Sequence, residues 1–322
     1  MRTCASASRE LAEPLAGTAA TARTWLLIEQ PGPWGAKALT SSHLDPALGR
    51  ALETAADGSG VRVALIRRPG RHPDGHEPVR RRVLLAHTAP GNSWIRTTVL
   101  TMDGTGGPGP SALLGLDFTA LGAGEHGDIW DPYLGAPLAF VCTNAKRDRC
   151  CALLGRPLAA ELVAGLGPGS EHRIWEITHI GGHRFAPTLL VLPHGYAYGR
   201  ATAHATKDVL EAIGDGRIVT HGCRGRSTWD RAGQAADLAV REMIGEWRAD
   251  AVDVIATRPR TAAPGTGWTV TLAHHDGRVW EADVDRGEAE PPRPESCGAE
   301  AGTPARMDTV ALRNITGTDN AV

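Results

Sequence analysis

The sequence has almost no net charge: 34 basic and 36 acidic residues leave −2 over 322 positions. That balance excludes the basic footprint by which nucleic acid or an anionic membrane surface is held. It also lacks any apolar run near the roughly 18 residues that a bilayer span requires. The opening stretch "MRTCASASRELAEPLAG" mixes acidic and basic residues and has no apolar centre, so the pattern of a secretory signal is missing. A cytoplasmic chain without nucleic-acid or membrane partners is the expectation. Cysteine is scarce, with six residues at Cys4, Cys142, Cys150, Cys151, Cys223 and Cys297. Six thiols in a chain of this length do not make a disulfide scaffold. None belongs to a C-x-x-C dithiol, which weakens a thiol–disulfide oxidoreductase reading. There is no carboxylate pair placed for glycoside hydrolysis, and no repeat is visible in the sequence.

What is present is an ordinary globular composition, 42% hydrophobic and 22% charged, long enough for two domains or one large one. The first part reads as a strand in "ARTWLLIEQPGPWG", a helix in "SSHLDPALGRALETAADG", then strands at "VRVALIRR", "RRVLLAHT" and "SWIRTTVLTM". Polar loops at "PGRHPDGHEP" and "DGTGGPGPS" separate them. This β-α-β-β-β order predicts an α/β lobe over residues 1–130, with α+β as the other possibility. Residues 131–250 read as strand "PLAFVCT", a helix from "CCALLGRPLAAELVAGLG", strands "HRIWEITHI" and "TLLVLPHGYAYGR", and helices "HATKDVLEAIGDG" and "STWDRAGQAADLAVREMIGEWRAD". That order is the one expected of a thioredoxin-like domain, and since both lobes open with a strand and a helix they can share a fold. Over 251–322 a β extension is expected, followed from "RGEAEPPRPESCGAEAGTPAR" by a loosely ordered tail.

The chemistry is concentrated in two short clusters. "CTNAKRDRCC" places Cys142 and Cys151 in a C-x8-C spacing, and "HIGGH" places His179 and His183 on either side of two glycines. A helix would put those imidazoles on one face, but Gly181-Gly182 costs about 1 kcal/mol per glycine in a helix interior. The preceding β-branched and aromatic residues read as a strand instead. A tight glycine loop lets backbone N–H groups approach something bulky, because no Cβ intervenes. Two thiolates and two imidazoles form a complete four-ligand set, for tetrahedral Zn2+ or for a [2Fe–2S] cluster. A zinc knuckle uses a C-x2–4-C spacing, whereas a cluster needs a longer loop around its sulfides. The cluster is the better fit.

The segments "FVCTNAKRDRCCALLGRPLA" and "WEITHIGGHRFAPTLLVLPHGYAYGR", with "EPLAGTAATARTWLLIEQPGPWG" near the start and "CRGRS" at Cys223, resemble the sucrase/ferredoxin-like family. Its members include thioredoxin-like [2Fe–2S] ferredoxins with a C-x8-C and H-x-G-G-H pattern. The resemblance implies that Cys142 and Cys151 hold one iron and His179 and His183 the other. It also implies an electron-transfer protein, a redox carrier rather than a stand-alone catalyst, with donor and acceptor proteins that the sequence does not identify. Imidazole in place of thiolate removes negative charge and raises the potential of such a cluster. The alternatives are structural Zn2+ on the same four residues, or a thiol–disulfide oxidoreductase.

Other residues receive plainer readings. Cys150 adjoins Cys151, and neighbouring side chains diverge, so it reads as a small buried helix residue. Cys223 reads as a structural loop thiol, and Cys4 and Cys297 as surface or packing positions. Lys146, Arg147 and Arg149 read as a solvated loop face. Arg184, Arg224 and Arg226 read first as surface residues, the alternatives being positive charge that raises the cluster potential or a contact for an acidic partner.

Overall fold

A computed structural model describes residues 3–70, 80–102, 107–167, 171–260 and 266–317. The polar loop at "PGRHPDGHEP" and the first part of "DGTGGPGPS" lie mostly outside them. The N-terminal part runs α1 (Cys4–Glu10), β1 (Thr24–Glu29), α2 (Pro46–Ala56), β2 (Val61–Arg67), β3 (Arg80–His87), β4 (Trp94–Thr101), α3 (Phe118–Ala123) and β5 (Asp131–Pro132). It continues with β6 (Leu138–Cys142), α4 (Arg149–Gly165), β7 (Ile174–Ile177), β8 (Leu189–Leu192), β9 (Tyr196–Tyr198), α5 (Ala203–Gly214), β10 (Cys223–Arg226) and α6 (Arg231–Ile244). The chain ends with β11 (Val252–Pro259), β12 (Gly267–His274), β13 (Val279–Glu288), β14 (Arg293–Pro294), β15 (Ala301–Gly302) and β16 (Ala305–Asn314). It is an α/β protein built on one large mixed sheet.

That sheet has ten strands in the order β10-β9-β8-β6-β7-β2-β1-β3-β4-β5. Within it the same arrangement occurs twice. β1 pairs parallel with β2 and antiparallel with β3, which pairs antiparallel with β4. β6 pairs parallel with β7 and antiparallel with β8, which pairs antiparallel with β9. In each half a helix, α2 or α4, crosses between the parallel strands, as the connection of parallel neighbours requires. The two halves therefore repeat one strand arrangement. The halves join where β2 and β7 pair antiparallel, with Ile66 opposite Ile177 and Arg67 opposite Glu176.

Side-chain alternation along these strands divides the core. Leu26, Ile28, Leu65, Val83 and Leu85 pack beneath α2 and α3, and Ala139, Val141, Ile174, Leu189 and Val191 pack beneath α4 and α5. Trp25, Leu27, Ile66, Phe140, Trp175 and Ile177 face the other way and form a core shared by both halves, which includes Cys142 and Cys151. α2 starts where Asp45 caps the Ala47 N–H and Pro46 takes the first helical position. α4 starts at Asp148, whose carboxylate accepts the Cys150 N–H at 2.8 Å. Gly155 weakens this helix as a sequence signal, yet it has a packing reason. A Cβ there would lie 2.2 Å from the Cys142 carbonyl oxygen, so only glycine lets α4 lie this close to the end of β6.

Two expectations are corrected. "CRGRS" is not a loop: Cys223–Arg226 forms the edge strand β10, antiparallel to β9. The C-terminal segment is not a loose tail through residue 314. Nine of the ten residues of β16 pair with β13, with a shift of register at Val310, completing a four-stranded antiparallel sheet in the order β11-β12-β13-β16. Its burial alternates, with Val270, Leu272, Trp280, Ala282 and Val284 packed on Ala232, Ala235, Ala236 and Val240 of α6. Between β13 and β16 the Pro-rich strap folds back onto the N-terminus. There the buried Glu13 carboxylate binds Arg293 at 3.0 Å and Arg184 at 2.8 Å.

At the joint of the halves, Arg67 donates to Glu176 at 2.7 Å, and Thr143 donates to the same oxygen at 2.8 Å. Arg67 and Glu176 are buried. Removing one member of such a pair leaves the other charge uncompensated, so Glu176→Ala is expected to cost about 3–5 kcal/mol. A urea titration checks this through a lowered midpoint, and an unchanged midpoint would show that the joint does not depend on the pair.

Glu13 gives a pH dependence. Burial alone would push its carboxyl up, but the hydrogen bonds from Arg293 and Arg184 outweigh burial and hold it below the ordinary carboxylate range. Because the folded value is depressed, its stabilising contribution is present above the unfolded value, about 4.3, and is lost as pH falls through the lower folded value. Thermal melts from about pH 6 downward should therefore show an acid loss of stability that Glu13→Gln partly flattens. Parallel curves for the two proteins would contradict this.

Candidate metal centre

Two connections after neighbouring parallel strands carry the four residues. β6 ends on Cys142, and the chain then runs through Thr143–Asp148 into the first turn of α4, which carries Cys151. β7 ends on Ile177, followed by His179, the two glycines and a short 3-10 turn, His183–Phe185. Since β6 and β7 are adjacent and parallel, both connections emerge at the same end of the sheet.

The ligating atoms of Cys142, Cys151 and His179 lie within 4.8 Å of one another. His183 stands beside them, its ring centroid 5.3 Å from that of His179. The structure thus brings Cys142, Cys151 and His179 into one group of ligand atoms and sets His183 beside it. Cys142 and Cys151 are buried, at 0% and 1% exposure, while both histidines are half-buried. The sulfur side therefore faces the core and the imidazole side faces outward. The Nδ1 atoms of His179 and His183 are buried without a hydrogen-bond partner. Two unpartnered imidazole nitrogens beside two buried thiols are what a metal-ligand set requires, because an unsatisfied buried polar atom is otherwise costly.

The glycine turn is strained for any other residue. Gly181 has φ +76° and Gly182 φ +69°, both in the left-handed region. A Cβ on Gly182 would lie 2.2 Å from the Arg224 guanidinium. Arg224 is fully buried and donates to the Gly181 carbonyl at 3.1 Å, to the Thr18 hydroxyl at 3.1 Å and to the Thr18 carbonyl. Arg62 donates to the His179 carbonyl at 3.1 Å. Two cationic side chains thus fix the carbonyls of the histidine turn and stand near its sulfurs.

Their charge matters because Cys142 is readily anionic. Donation from Cys151 holds the Cys142 sulfur well below the ordinary thiol range despite its burial, and the hydrogen bond with His179 adds to this. Burial pushes Arg224 down to about 9 and lowers Arg62, and in both the Cys142 charge opposes that fall. Burial also lowers His183, with Asp148 opposing; its Nε2 lies 3.8 Å from the Asp148 carboxylate. Neutral imidazole is the ligating form, and a carboxylate behind it orients the ring.

The surface reading of three arginines is overturned. Arg224 and Arg226 are 0% exposed and Arg184 is 9% exposed. Each has carbonyl, hydroxyl or carboxylate partners in reach, Arg226 for example holding Thr88, Ser93, Ala249 and Asp250. Cys223 is a buried core thiol on β10. Lys146, Arg147 and Arg149 are exposed, as expected. Arg62 and Asp148 were missed, since neither falls in a spacing that marks a site. Among the described residues, no helix is long and apolar enough to cross a membrane.

The family model for sucrase/ferredoxin-like proteins matches residues 15–225, well over half of the chain. The chain belongs to the sucrase/ferredoxin-like family. Among curated proteins, it is similar to "Altered inheritance of mitochondria protein 32" of Candida glabrata, 24% identical over 97 residues. That alignment covers 27% of this chain and 31% of the relative, so the chain spans about a third of that protein's length. No solved structure matches significantly. The family segment contains all four candidate ligands and the two arginines, Arg62 and Arg224, beside them.

The glycine turn can be tested directly. Gly182→Val keeps every candidate ligand, yet it places a branched side chain on Arg224 at a left-handed backbone position. Metal content of the purified variant is expected to fall to a small fraction of that of the parent. Gly216→Ala has the same kind of strain, φ +70°, with nothing within 4 Å, and should keep its metal. Equal metal content in all three proteins would show that the close approach is incidental.

Proposed function

We propose that this protein is a one-electron carrier holding a single [2Fe–2S] cluster on Cys142, Cys151, His179 and His183. The observation that carries this reading is the pair of unpartnered imidazole nitrogens beside two buried thiols, reached through a left-handed glycine turn. Membership of a ferredoxin-like family supports it. The two strand-helix-strand halves, each followed by a hairpin, support a thioredoxin-like reading of the lobes. When bound, the cluster would supply the redox couple, and the chain would set its surroundings.

Those surroundings favour the role. The buried cysteines exclude water from the thiolates, while the half-buried histidines bring the other side of the set towards solvent, where a redox partner can approach. Arg62 and Arg224 offset the negative charge of the sulfurs and so favour the reduced, more negative state. Beside the histidine turn lies a groove of about 390 Å³ lined by Gly182, Arg184, Arg231, Arg286 and Glu295, a polar surface that suits a reversible protein contact. A thiol–disulfide oxidoreductase would leave the two imidazole nitrogens without a use. Zn2+ on the same four residues remains the alternative to be tested.

Anaerobic purification followed by iron and acid-labile sulfide analysis is the deciding experiment. The expected result is about two irons and two sulfides per chain, with visible absorption that dithionite bleaches. Cys142→Ser and Cys151→Ser should each abolish this, and His183→Cys should retain a cluster of lower potential because a thiolate adds negative charge. A colourless protein carrying zinc at these four residues would replace the electron-transfer reading with a structural one.

A further inference from the structure

Four of the six cysteines were expected to do nothing in particular, and three of those four meet. Cys4 comes from the first turn of α1, Cys150 from the first turn of α4, and Cys297 from the strap between β14 and β15. Their sulfurs are separated by 3.1 Å for Cys150–Cys297, 3.5 Å for Cys4–Cys150 and 3.6 Å for Cys4–Cys297. All three are free thiols; Cys4 and Cys150 are buried and Cys297 is half-buried. Both Asp148 carboxylate oxygens lie 3.8 Å from the Cys4 sulfur. Ligating atoms of the four residues fall within 4.8 Å of one another.

These separations decide between chemistries. A disulfide requires about 2.05 Å between sulfurs, and it would pair two of the three and strand the third. A tetrahedral zinc ion with Zn–S bonds of about 2.3 Å sets ligand atoms about 3.8 Å apart along each edge. Two sulfur separations, 3.5 and 3.6 Å, and the 3.8 Å between Cys4 and the Asp148 carboxylate lie near that edge length, while the third sulfur pair at 3.1 Å is shorter but well beyond a disulfide bond. The backbone also prepares the sulfurs for negative charge: the Ala5 N–H donates to Cys150, and the Cys4 N–H donates to Cys297. Such N–H···S bonds are the outer support of thiolate metal ligands. Asp148 is held in place by the N–H groups of Cys150 at 2.8 Å and Cys297 at 2.7 Å, and each of its oxygens keeps a further lone pair.

We propose that Cys4, Cys150, Cys297 and Asp148 form a second metal centre, a structural zinc site distinct from the Cys142, Cys151, His179 and His183 set. Three thiolates and a carboxylate select a thiophilic divalent ion, and four protein ligands close the coordination sphere, as in structural rather than catalytic zinc sites. The adjacent residues Cys150 and Cys151 diverge at the start of α4 and lie in different groups, one serving each centre. The site binds together three segments that are remote in sequence: the N-terminal helix, the helix that carries Cys151, and the C-terminal strap.

The test is elemental analysis of the full-length protein, purified anaerobically, with zinc and iron measured on the same sample. The parent should carry about one zinc per chain in addition to any iron. Cys4→Ser and Cys297→Ser should each lose that zinc while iron content and visible absorption stay unchanged. Because these variants can fail to fold, a second measurement uses Cys142→Ser/Cys151→Ser, in which the first site is disabled. After removal of bound metal, Co2+ titration should then give sulfur-to-cobalt charge transfer and tetrahedral d–d bands, saturating at about one equivalent. No zinc in the parent, or a Cys150–Cys297 disulfide in peptides from non-reduced protein, would overturn the proposal. So would zinc that persists in Cys4→Ser and Cys297→Ser but is lost in Cys142→Ser. A parent protein that carries this zinc but no iron would instead count against the electron-transfer reading alone.

Discussion

The contact between the buried Arg224 guanidinium and the backbone of Gly181-Gly182 sets the geometry of the candidate centre. The turn must be left-handed at two successive residues to bring His179 and His183 to the same side, and it must leave room for a cation where a side chain would otherwise sit. Arg224 in turn is held by Thr18 and lies near the Phe185 ring. One residue therefore ties the edge strand β10, the N-terminal segment and the histidine turn together. Without it, the Gly181 carbonyl would lack its hydrogen bond and the imidazoles would lose their fixed relation to the sulfurs.

Much of this was legible in the sequence, for identifiable reasons. The strand–helix–strand order in both halves follows from apolar runs bounded by Gly, Pro and capping residues, as at Asp45-Pro46. The candidate site stood out because C-x8-C and H-x-G-G-H combine residue types that have few other reasons to cluster. Burial of charge was the least visible property. Nothing in "CRGRS" says that Arg224 and Arg226 are enclosed, because their partners are carbonyls and carboxylates contributed by residues tens to hundreds of positions away. The ordering of residues 305–314 was hidden for a similar reason: "ARMDTVALRN" becomes a strand through pairing with β13, while the Pro-rich strap before it reads as disorder when taken alone. The convergence of Cys4, Cys150 and Cys297 leaves no trace in spacing, since 146 and 147 residues separate them.

The core follows a division of labour between the two faces of the sheet. Helices α2, α3, α4 and α5 cover one face, and each half has its own apolar cluster there. The opposite face carries a single cluster that runs through both halves and reaches Cys142 and Cys151, so the first half forms part of the wall behind the sulfurs. The Arg67–Glu176 pair sits where the two halves meet, with Thr143, the residue after Cys142, bonded to the same carboxylate. A disturbance at this joint would therefore be felt one residue away from a candidate ligand.

The two outer strands of the ten-stranded sheet have a consequence for how copies of the protein behave towards one another. An unpaired edge of good length is a template on which a second chain can add a strand. At one end β5 is only two residues long and includes Pro132, which has no N–H to offer. At the other end β10 has four residues, all buried, with a shift of register between Cys223 and Gly225, and its Arg224 carbonyl accepts the Thr18 N–H, so the N-terminal segment covers this edge. Neither end presents a straight run of free backbone groups. A wide sheet is thereby kept from growing by recruitment of its neighbours.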